Sequence, residues 1–443
     1  MNDKRFPMPA PWSAVPVIAL CAGILAAGQA AAGGLSVYEV GTADVGLASA
    51  GYGARAQDAS TVLTNPAGMT RLQGRQVLLS GQVLWANTEF SAGSGTSPLL
   101  GSEEGGRVLG SDGWFLGGGG FMSYSLSPDL KLGLALAGNF GSPLEYDKDW
   151  VGRYYVQKAT MLGISFLPSI AYKVTDKLSL GAGLNAMYGI YKNQVAINNV
   201  DPRFADGRLK LDDQTWGWGA NLGLLYELDP GTRLGLTWSS QIDLDFKSRA
   251  KFSNLAPGIE TVFANRGLLN SKIKVGIKVP QQVMGSVFSQ VNDRWAVLGS
   301  VGWQDWSEFG QVQIGVEDST NPTNLTTDLD FKDTWHFALG AQYRLSDPWL
   351  LNFGISYDSK FQDSSDVSPL LPVNSAWRFG VGGQQQLTKT AYWGVAAEYM
   401  YGGTLDTKLQ SRVPVALGGR GDLVGSYDNT GTIFLAGYYN WQF

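Results

Sequence analysis

The sequence predicts an all-β fold: a 14-stranded antiparallel transmembrane β-barrel preceded by a small N-terminal unit. Three observations lead there. In the last segment Ile433, Leu435, Gly437, Tyr439 and Trp441 recur at every second position up to the terminal Phe443, while Thr432, Asn440 and Gln442 fill places between them. Successive side chains of a strand point to opposite faces, so one face of this segment suits lipid and the other a polar lumen. Six tight turn clusters then divide the chain, at Ser127-Pro128-Asp129, Thr175-Asp176-Lys177, Asp229-Pro230-Gly231, Asn292-Asp293, Ser346-Asp347-Pro348 and Thr388-Lys389. Between neighbouring clusters lie roughly 40 to 60 residues, enough for two strands and a longer polar loop. Finally, no run of about 18 apolar residues follows the first 32 positions, so a transmembrane helix is not expected. A closed sheet is the other structure that satisfies every backbone group in a bilayer.

Taken in order, residues 1–32 read as a secretory signal peptide. Lys4 and Arg5 precede an apolar stretch from Val15 to Ala27, and Ala30-Ala31-Ala32 supplies the small residues of a cleavage site, with Gly33 as the first mature residue. The stretch is short for a bilayer span, which disfavours a retained anchor. Cys21 is the only cysteine and follows Leu20 rather than a small residue, so lipidation is not expected and the mature chain has no thiol for a disulfide or a metal. Residues 33–73 are rich in alanine and glycine, show little alternation, and read as a separate small unit ahead of the barrel. Residues 74–443 read as the barrel. Its strands are expected at 75–92, 113–126, 131–141, 153–174, 178–198, 208–228, 232–249, 272–291, 294–316, 331–345, 349–360, 375–387, 391–406 and 430–443, an even number as a single-chain bacterial barrel requires.

Alternation is clear in several of these. Trp335, Phe337, Leu339, Ala341, Tyr343 and Leu345 interleave with His336, Ala338, Gly340, Gln342 and Arg344; Trp349, Leu351, Phe353, Ile355 and Tyr357 repeat the pattern. Trp377, Phe379 and Val381 alternate with Arg378, and Trp393, Val395, Ala397 and Tyr399 lie opposite Glu398. An edge strand of a soluble sheet or a β-sandwich would also alternate. Neither explains the succession of short turns and long loops, which fits short periplasmic turns and longer outward loops.

Composition agrees. Glycine supplies 58 of 443 residues, about twice its usual share. The 15 tryptophans and 18 tyrosines are of the kind that gathers at membrane interfaces. Loss of Asp3, Lys4 and Arg5 with the leader moves the formal charge from −5 to −6, and the lack of a basic tract argues against nucleic-acid binding. Enzyme chemistry finds few candidates. The one histidine, His336, falls in mid-strand and facing the lumen, without an adjacent serine for a triad. One histidine and no mature cysteine also leave no zinc site. Gly181-Ala182-Gly183 starts a loose dinucleotide fingerprint, but inside an alternating strand rather than before a helix. No catalytic residue, metal or cofactor is expected.

The segment Asp58-Ala59-Ser60-Thr61-Val62-Leu63-Thr64-Asn65-Pro66-Ala67-Gly68-Met69 resembles the amino-terminal hatch motif of the FadL family, outer-membrane transporters of long-chain fatty acids and aromatic hydrocarbons. Trp150-Val151-Gly152-Arg153, Leu167-Pro168-Ser169-Ile170-Ala171-Tyr172 and Val279-Pro280 look like further recurrent family segments, so the likeness spans nearly the whole mature chain. On its own chemistry, Asn65-Pro66 is a helix or turn start, with the Asn side chain capping backbone donors and Pro pre-set for a first helical position. The resemblance adds that this unit is a helical hatch, or plug, which Asn65, Pro66 and Ala67 hold against the inner wall, with Val62, Leu63 and Met69 available to an apolar ligand.

Two other places carry expectations. After Lys131 to Phe140 the alternation breaks at Gly141-Ser142-Pro143, where Pro cannot donate to the ladder and Gly permits a bulge. Either the third strand is kinked there or the external loop begins. The resemblance implies an inward kink that gives apolar cargo a side exit into the membrane. Leu255, Ile259, Val262, Phe263 and Arg266 recur at spacings of three and four, so a short helix would carry an apolar stripe. With Trp150, Tyr154 and Tyr155 it would form a greasy external groove, as the family has between the corresponding loops; the alternative is a helix packed on the rim without ligand.

The function implied is passive, ligand-gated uptake of hydrophobic small molecules, long-chain fatty acids first, through a monomeric barrel in the outer membrane of a Gram-negative bacterium. An aromatic hydrocarbon channel and a general porin or structural barrel are the alternatives. Arg153 and Arg344 are the candidates to read a cargo carboxylate. Phe443, Trp441 and Tyr439 resemble the terminal signal read by the barrel assembly machinery, and the other expected partners are outer-membrane lipid and lipopolysaccharide.

Overall fold

The computed structural model describes residues 36–443 apart from 37, 87, 102–106, 109–112, 318–322, 364–366 and 429; the leader and its cleavage site lie outside the described residues. Fourteen strands form the barrel: β1 Arg75–Ala86, β2 Trp114–Ser125, β3 Leu130–Glu145, β4 Lys158–Lys173, β5 Leu178–Ile197, β6 Gly207–Glu227, β7 Thr232–Ser239, β8 Gln282–Gln290, β9 Trp295–Gln304, β10 Thr334–Ser346, β11 Trp349–Asp358, β12 Ala376–Thr388, β13 Ala391–Tyr401 and β14 Gly431–Gln442. Each pairs antiparallel with its neighbour in sequence, and β14 closes the ring on β1 with Leu79 opposite Tyr439 and Val77 opposite Trp441. Closure leaves the barrel no free edge, the condition for crossing a bilayer with strands. The tight turns all lie at one end, where both ends of the barrel chain also meet: the Arg75 N–H donates to the Phe443 carbonyl, and the Phe443 N–H to the Arg75 carbonyl.

The expected alternation decides which face meets lipid. Trp335, Phe337 and Leu339 are exposed on the outside while His336 and Ala338 are buried inside. Trp377, Phe379 and Val381 are likewise exposed around a fully buried Arg378. In β14 the inward face departs from the expected polar lumen. Phe434 and Tyr438 share it with Thr432 and Asn440, and both aromatic rings are buried. Packed side chains fill the lumen along this wall.

A second departure concerns strands expected to run unbroken through 232–249, 272–291 and 294–316. They break at a common level, after Ser239, between Val279 and Gln282, and after Gln304. The outer pieces, Ile242–Arg249, Lys272–Val279, Gln311–Glu317 and Thr323–Asp328, pair as a separate four-stranded antiparallel sheet. Pro280 has no N–H for the ladder, and the helix Trp306–Gly310 interrupts the third path. The sheet folds into the lumen because the inward faces of β5 and β6 present glycines. A Cβ at Gly217 would stand 2.5 Å from Ile242, and one at Gly189 3.0 Å from Leu244. Phe246 completes the contact, its ring 5.3 Å from that of Tyr191.

The segment from Tyr38 to Gln73 lies within the barrel. It contains one short α-helix, Thr61–Thr64, and a 3-10 helix, Pro66–Arg71. It sits against glycine notches in the wall: a Cβ on Gly235 of β7 would fall 1.9 Å from the Gly53 carbonyl oxygen, and one on Gly354 of β11 2.0 Å from Leu47. Towards the long-loop end, the lumen is occupied by a continuous cluster of buried apolar side chains that includes Phe90, Trp150, Tyr191, Trp306, Phe361 and Tyr427.

Candidate functional site

Three features stand along the barrel axis: a charged latch holding the plug, an apolar mouth above it, and an interrupted ladder at β3. The latch centres on Arg378 of β12. Its Nη1 donates to Glu39 of the plug at 2.8 Å and to Glu398 of β13 at 3.3 Å, and its Nε donates to Asp358 of β11 at 2.9 Å. Asp358 also meets His336 Nδ1 at 2.7 Å, and the Tyr38 ring packs 4.7 Å from the imidazole. Glu39 accepts a further bond from the Ser49 hydroxyl at 2.5 Å. All these charged groups are nearly inaccessible, so their desolvation is offset only while the constellation is intact. Among the described residues, Glu398 Oε2 and His336 Nε2 find no hydrogen-bond partner.

A second buried network ties the plug to itself and to β13. Arg55 donates to Asp58 at 2.7 Å, to Asp44 at 3.2 Å and to Ser60 at 3.0 Å, while the Tyr392 hydroxyl donates to Asp58 at 3.1 Å. Asn65 caps the Pro66–Arg71 helix by accepting from the Ala67 N–H at 3.1 Å. Its amide also donates to the Gly53 carbonyl at 2.6 Å and across to the Leu224 carbonyl of β6 at 3.0 Å. Pro66 and Ala67 lie in a notch at Gly181 of β5, where a Cβ would be 2.3 Å from the Ala67 nitrogen. Val62, Leu63 and Met69 are buried; Val62 and Met69 face Gly133 of β3, within 3 Å of where its Cβ would stand. They make wall contacts in this state of the plug.

At the mouth, Trp150 is fully buried, stacked on Tyr146 at 3.9 Å between centroids and donating its indole N–H to the Val156 carbonyl at 2.7 Å. Tyr154 is buried, with its hydroxyl donating to Asp206 at 2.5 Å, and burial pushes the Tyr155 hydroxyl up to about 12. The helix Pro257–Asn265 is present: Phe263 is buried and Leu255 and Ile259 pack against the mouth cluster, whereas Val262 is exposed. Trp150, Tyr154 and Phe263 belong to that one cluster. Arg153 is committed to the protein, donating to Asp206 at 2.7 Å and to the Leu100 carbonyl at 2.8 Å. Its guanidinium is tied to Asp206, which holds its pKa above the usual arginine value despite partial burial. Arg344 is exposed beside the 347–348 turn, at the opposite end from the mouth.

The ladder between β2 and β3 stops at the pair Gly119 and Ala137. Beyond it, Phe140 is bridged by Ser36. Gly141 and Pro143 do not begin a loop: they lie inside β3, opposite Leu162 and Thr160 of β4. The irregularity falls earlier, at Asn139, where the register shifts between Gly138 and Phe140; one extra residue on one strand bends it locally. Gly141 takes φ +92°, a conformation only glycine adopts without strain. At the far end of the chain, Phe443 is largely exposed and the Tyr439 and Trp441 rings lie 4.2 Å apart on one face.

Sequence reasoning did not single out Glu39, Asp44 or Arg55, isolated charges in an alanine- and glycine-rich segment. The available signal was in the wall, where Arg378 and Glu398 stand alone on inward faces.

Residues 23–443 match the family model described as outer membrane protein transport protein (OMPP1/FadL/TodX). The chain is similar to a long-chain fatty acid transport protein of Escherichia coli O6:H1, 25% identical over 378 residues covering 80% of this chain and 83% of the relative. It is also similar to outer membrane protein P1 of Haemophilus influenzae, 28% identical over 390 residues covering 80% and 82%. Among solved structures, a Pseudomonas aeruginosa FadL homologue superposes with a TM-score of 0.79 at 20% identity, covering 93% of this chain and all of that one. The Ralstonia pickettii toluene transporter TbuX superposes at 0.65 with 17% identity, covering 92% and 100%.

Proposed function

From the premise that this chain belongs to the OMPP1/FadL/TodX family of outer-membrane transporters for hydrophobic compounds, we propose that its cargo is long-chain fatty acid, taken up by ligand-gated passive diffusion. The observation that carries this reading is the stacking of an apolar mouth on a plug held by buried ion pairs. A porin needs an open polar lumen. Here the lumen above the plug is filled by aromatic and aliphatic side chains, an interior that apolar cargo can enter by replacing like contacts with like. The named E. coli relative supports the fatty acid over an aromatic hydrocarbon.

In this scheme residues 1–32 are removed on export and 33–73 act as the hatch within the 74–443 barrel. Cargo enters among Trp150, Tyr154, Ile259, Val262 and Phe263 and moves down to Val62, Leu63 and Met69. The energy for displacing the plug comes from cargo binding the open state better than the closed one. The lapse between β2 and β3, with Asn139 bulged and Gly141 at a positive φ, supplies a lateral route into the membrane. The barrel works as a monomer, is inserted by the assembly machinery through its Phe443 terminus, and sits among outer-membrane lipid and lipopolysaccharide.

The test is equilibrium binding of a fluorescent long-chain fatty acid to the purified barrel, with displacement by oleate and by toluene. Displacement by oleate alone supports the proposal, displacement by toluene moves the cargo to aromatic hydrocarbons, and absence of saturable binding leaves a porin or structural barrel.

A further inference from the structure

At the tight-turn end, beneath the plug and opposite the mouth, the barrel opens onto a cleft of about 490 Å³. Its lining includes Gln57, Gln73, Gln442 and Phe288, and the charged side chains among its lining residues are both arginines, Arg71 and Arg233. A cationic pocket is unexpected in a chain of net charge −5. Arg71 is paired with Glu227 at the rim, where both side chains are partly exposed. Arg233 differs. It is only 3% exposed, its guanidinium lies 3.8 Å above the Phe288 ring, and its hydrogen bonds go to main-chain carbonyls of the plug, Ala54 at 2.6 Å and Arg55. Among the described residues no carboxylate lies within ion-pair distance of it.

A buried guanidinium without a directly paired anion is costly; its cross-strand neighbour Glu227 is tied to Arg71, and that more distant charge and the neutral carbonyls offset the cost only in part. Carboxylate is the chemistry a guanidinium recognises best, and the apolar flank of Phe288, Ala56 and Leu72 offers room for the first part of a chain. We propose that this cleft is a carboxylate-binding site, separate from the mouth, which receives the head of an amphiphilic acid at the periplasmic end. Arg233 supplies the buried charge, Arg71 the second cation at the entrance, and the glutamine amides additional donors. An acid held here engages the same side chain that anchors the plug from below, so the site couples the periplasmic end to the plug's main chain at Ala54 and Arg55.

The site can be read independently of transport. With Cys21 lost with the leader or replaced, a Gln290→Cys variant of the full barrel takes a single environment-sensitive fluorophore at the cleft lining. Dodecanoate is expected to give a saturable signal that dodecanol at the same concentration does not. Arg71→Gln should weaken it several-fold and Arg233→Gln by about tenfold. Arg233→Lys, which keeps charge and a donor for the plug, should retain binding if Arg233→Gln fails to assemble. Acetate saturating at similar concentrations would assign the site to small free carboxylates, and silence with acetate to an amphiphile's head. A missing signal, an equal response to dodecanol, or affinities unchanged in both Arg71→Gln and Arg233→Gln would overturn the proposal, whatever uptake assays show.

Discussion

Arg378 on β12 reaches across to Glu39 of the plug at 2.8 Å, joining two residues 339 positions apart in the chain. Glu398 and Asp358 hold the same guanidinium, so wall and plug share one buried cation. Removing that cation strands three carboxylates. Arg378→Leu should therefore cost about 3–5 kcal/mol or prevent assembly. Glu39→Gln leaves the wall pairs in place and removes the plug's share. The expected result is a folded barrel with a looser plug, read as raised single-channel conductance with little change in the heat-induced shift on denaturing gels.

Asn65 makes one bond to its own helix cap, one to Gly53 and one to the β6 wall. Asn65→Ala should destabilise the seated plug by about 1–2 kcal/mol. Faster hydrogen exchange across 53–72, with the barrel strands unchanged, is the measurement.

The bulge at Asn139 allows the proposed lateral route to be tested apart from the binding step. Deleting Asn139 restores the β3 register against β4 and should close the proposed side route. Fatty-acid binding to the purified protein should persist while uptake falls to that of cells without the transporter; unchanged uptake would direct cargo through the plug instead.

Phe443 makes its structural bonds to β1 through its main chain, and its ring is exposed. Phe443→Ala should lower the amount of barrel in the outer membrane without altering the melting temperature of what is inserted. A shifted melting point with normal yield would make the ring structural.

The barrel was legible because period-two alternation and turn chemistry are local signals: Trp335, Phe337 and Leu339 face lipid as their spacing required. The inward fold of Ile242–Arg249 was not. It depends on Gly189 and Gly217 in other strands, and Pro280 was the one local hint of a break. Asn65 was recognisable as a cap from its neighbour Pro66, but its bond to Leu224 is a tertiary fact. The Glu39–Arg378 pair was invisible for the same reason: a lone inward charge announces that a partner is needed, not where along the chain it lies.

Under the proposed function, apolar cargo passes the mouth and the plug without an open water path. The most direct measurement is uptake of radiolabelled oleate beside radiolabelled maltotriose, in cells lacking their own transporter and expressing this chain. Saturable oleate uptake is expected, lost when Trp150 is replaced by aspartate in an inserted barrel, with maltotriose entry no faster than in the empty cells. Size-dependent sugar entry without saturable oleate uptake would contradict it.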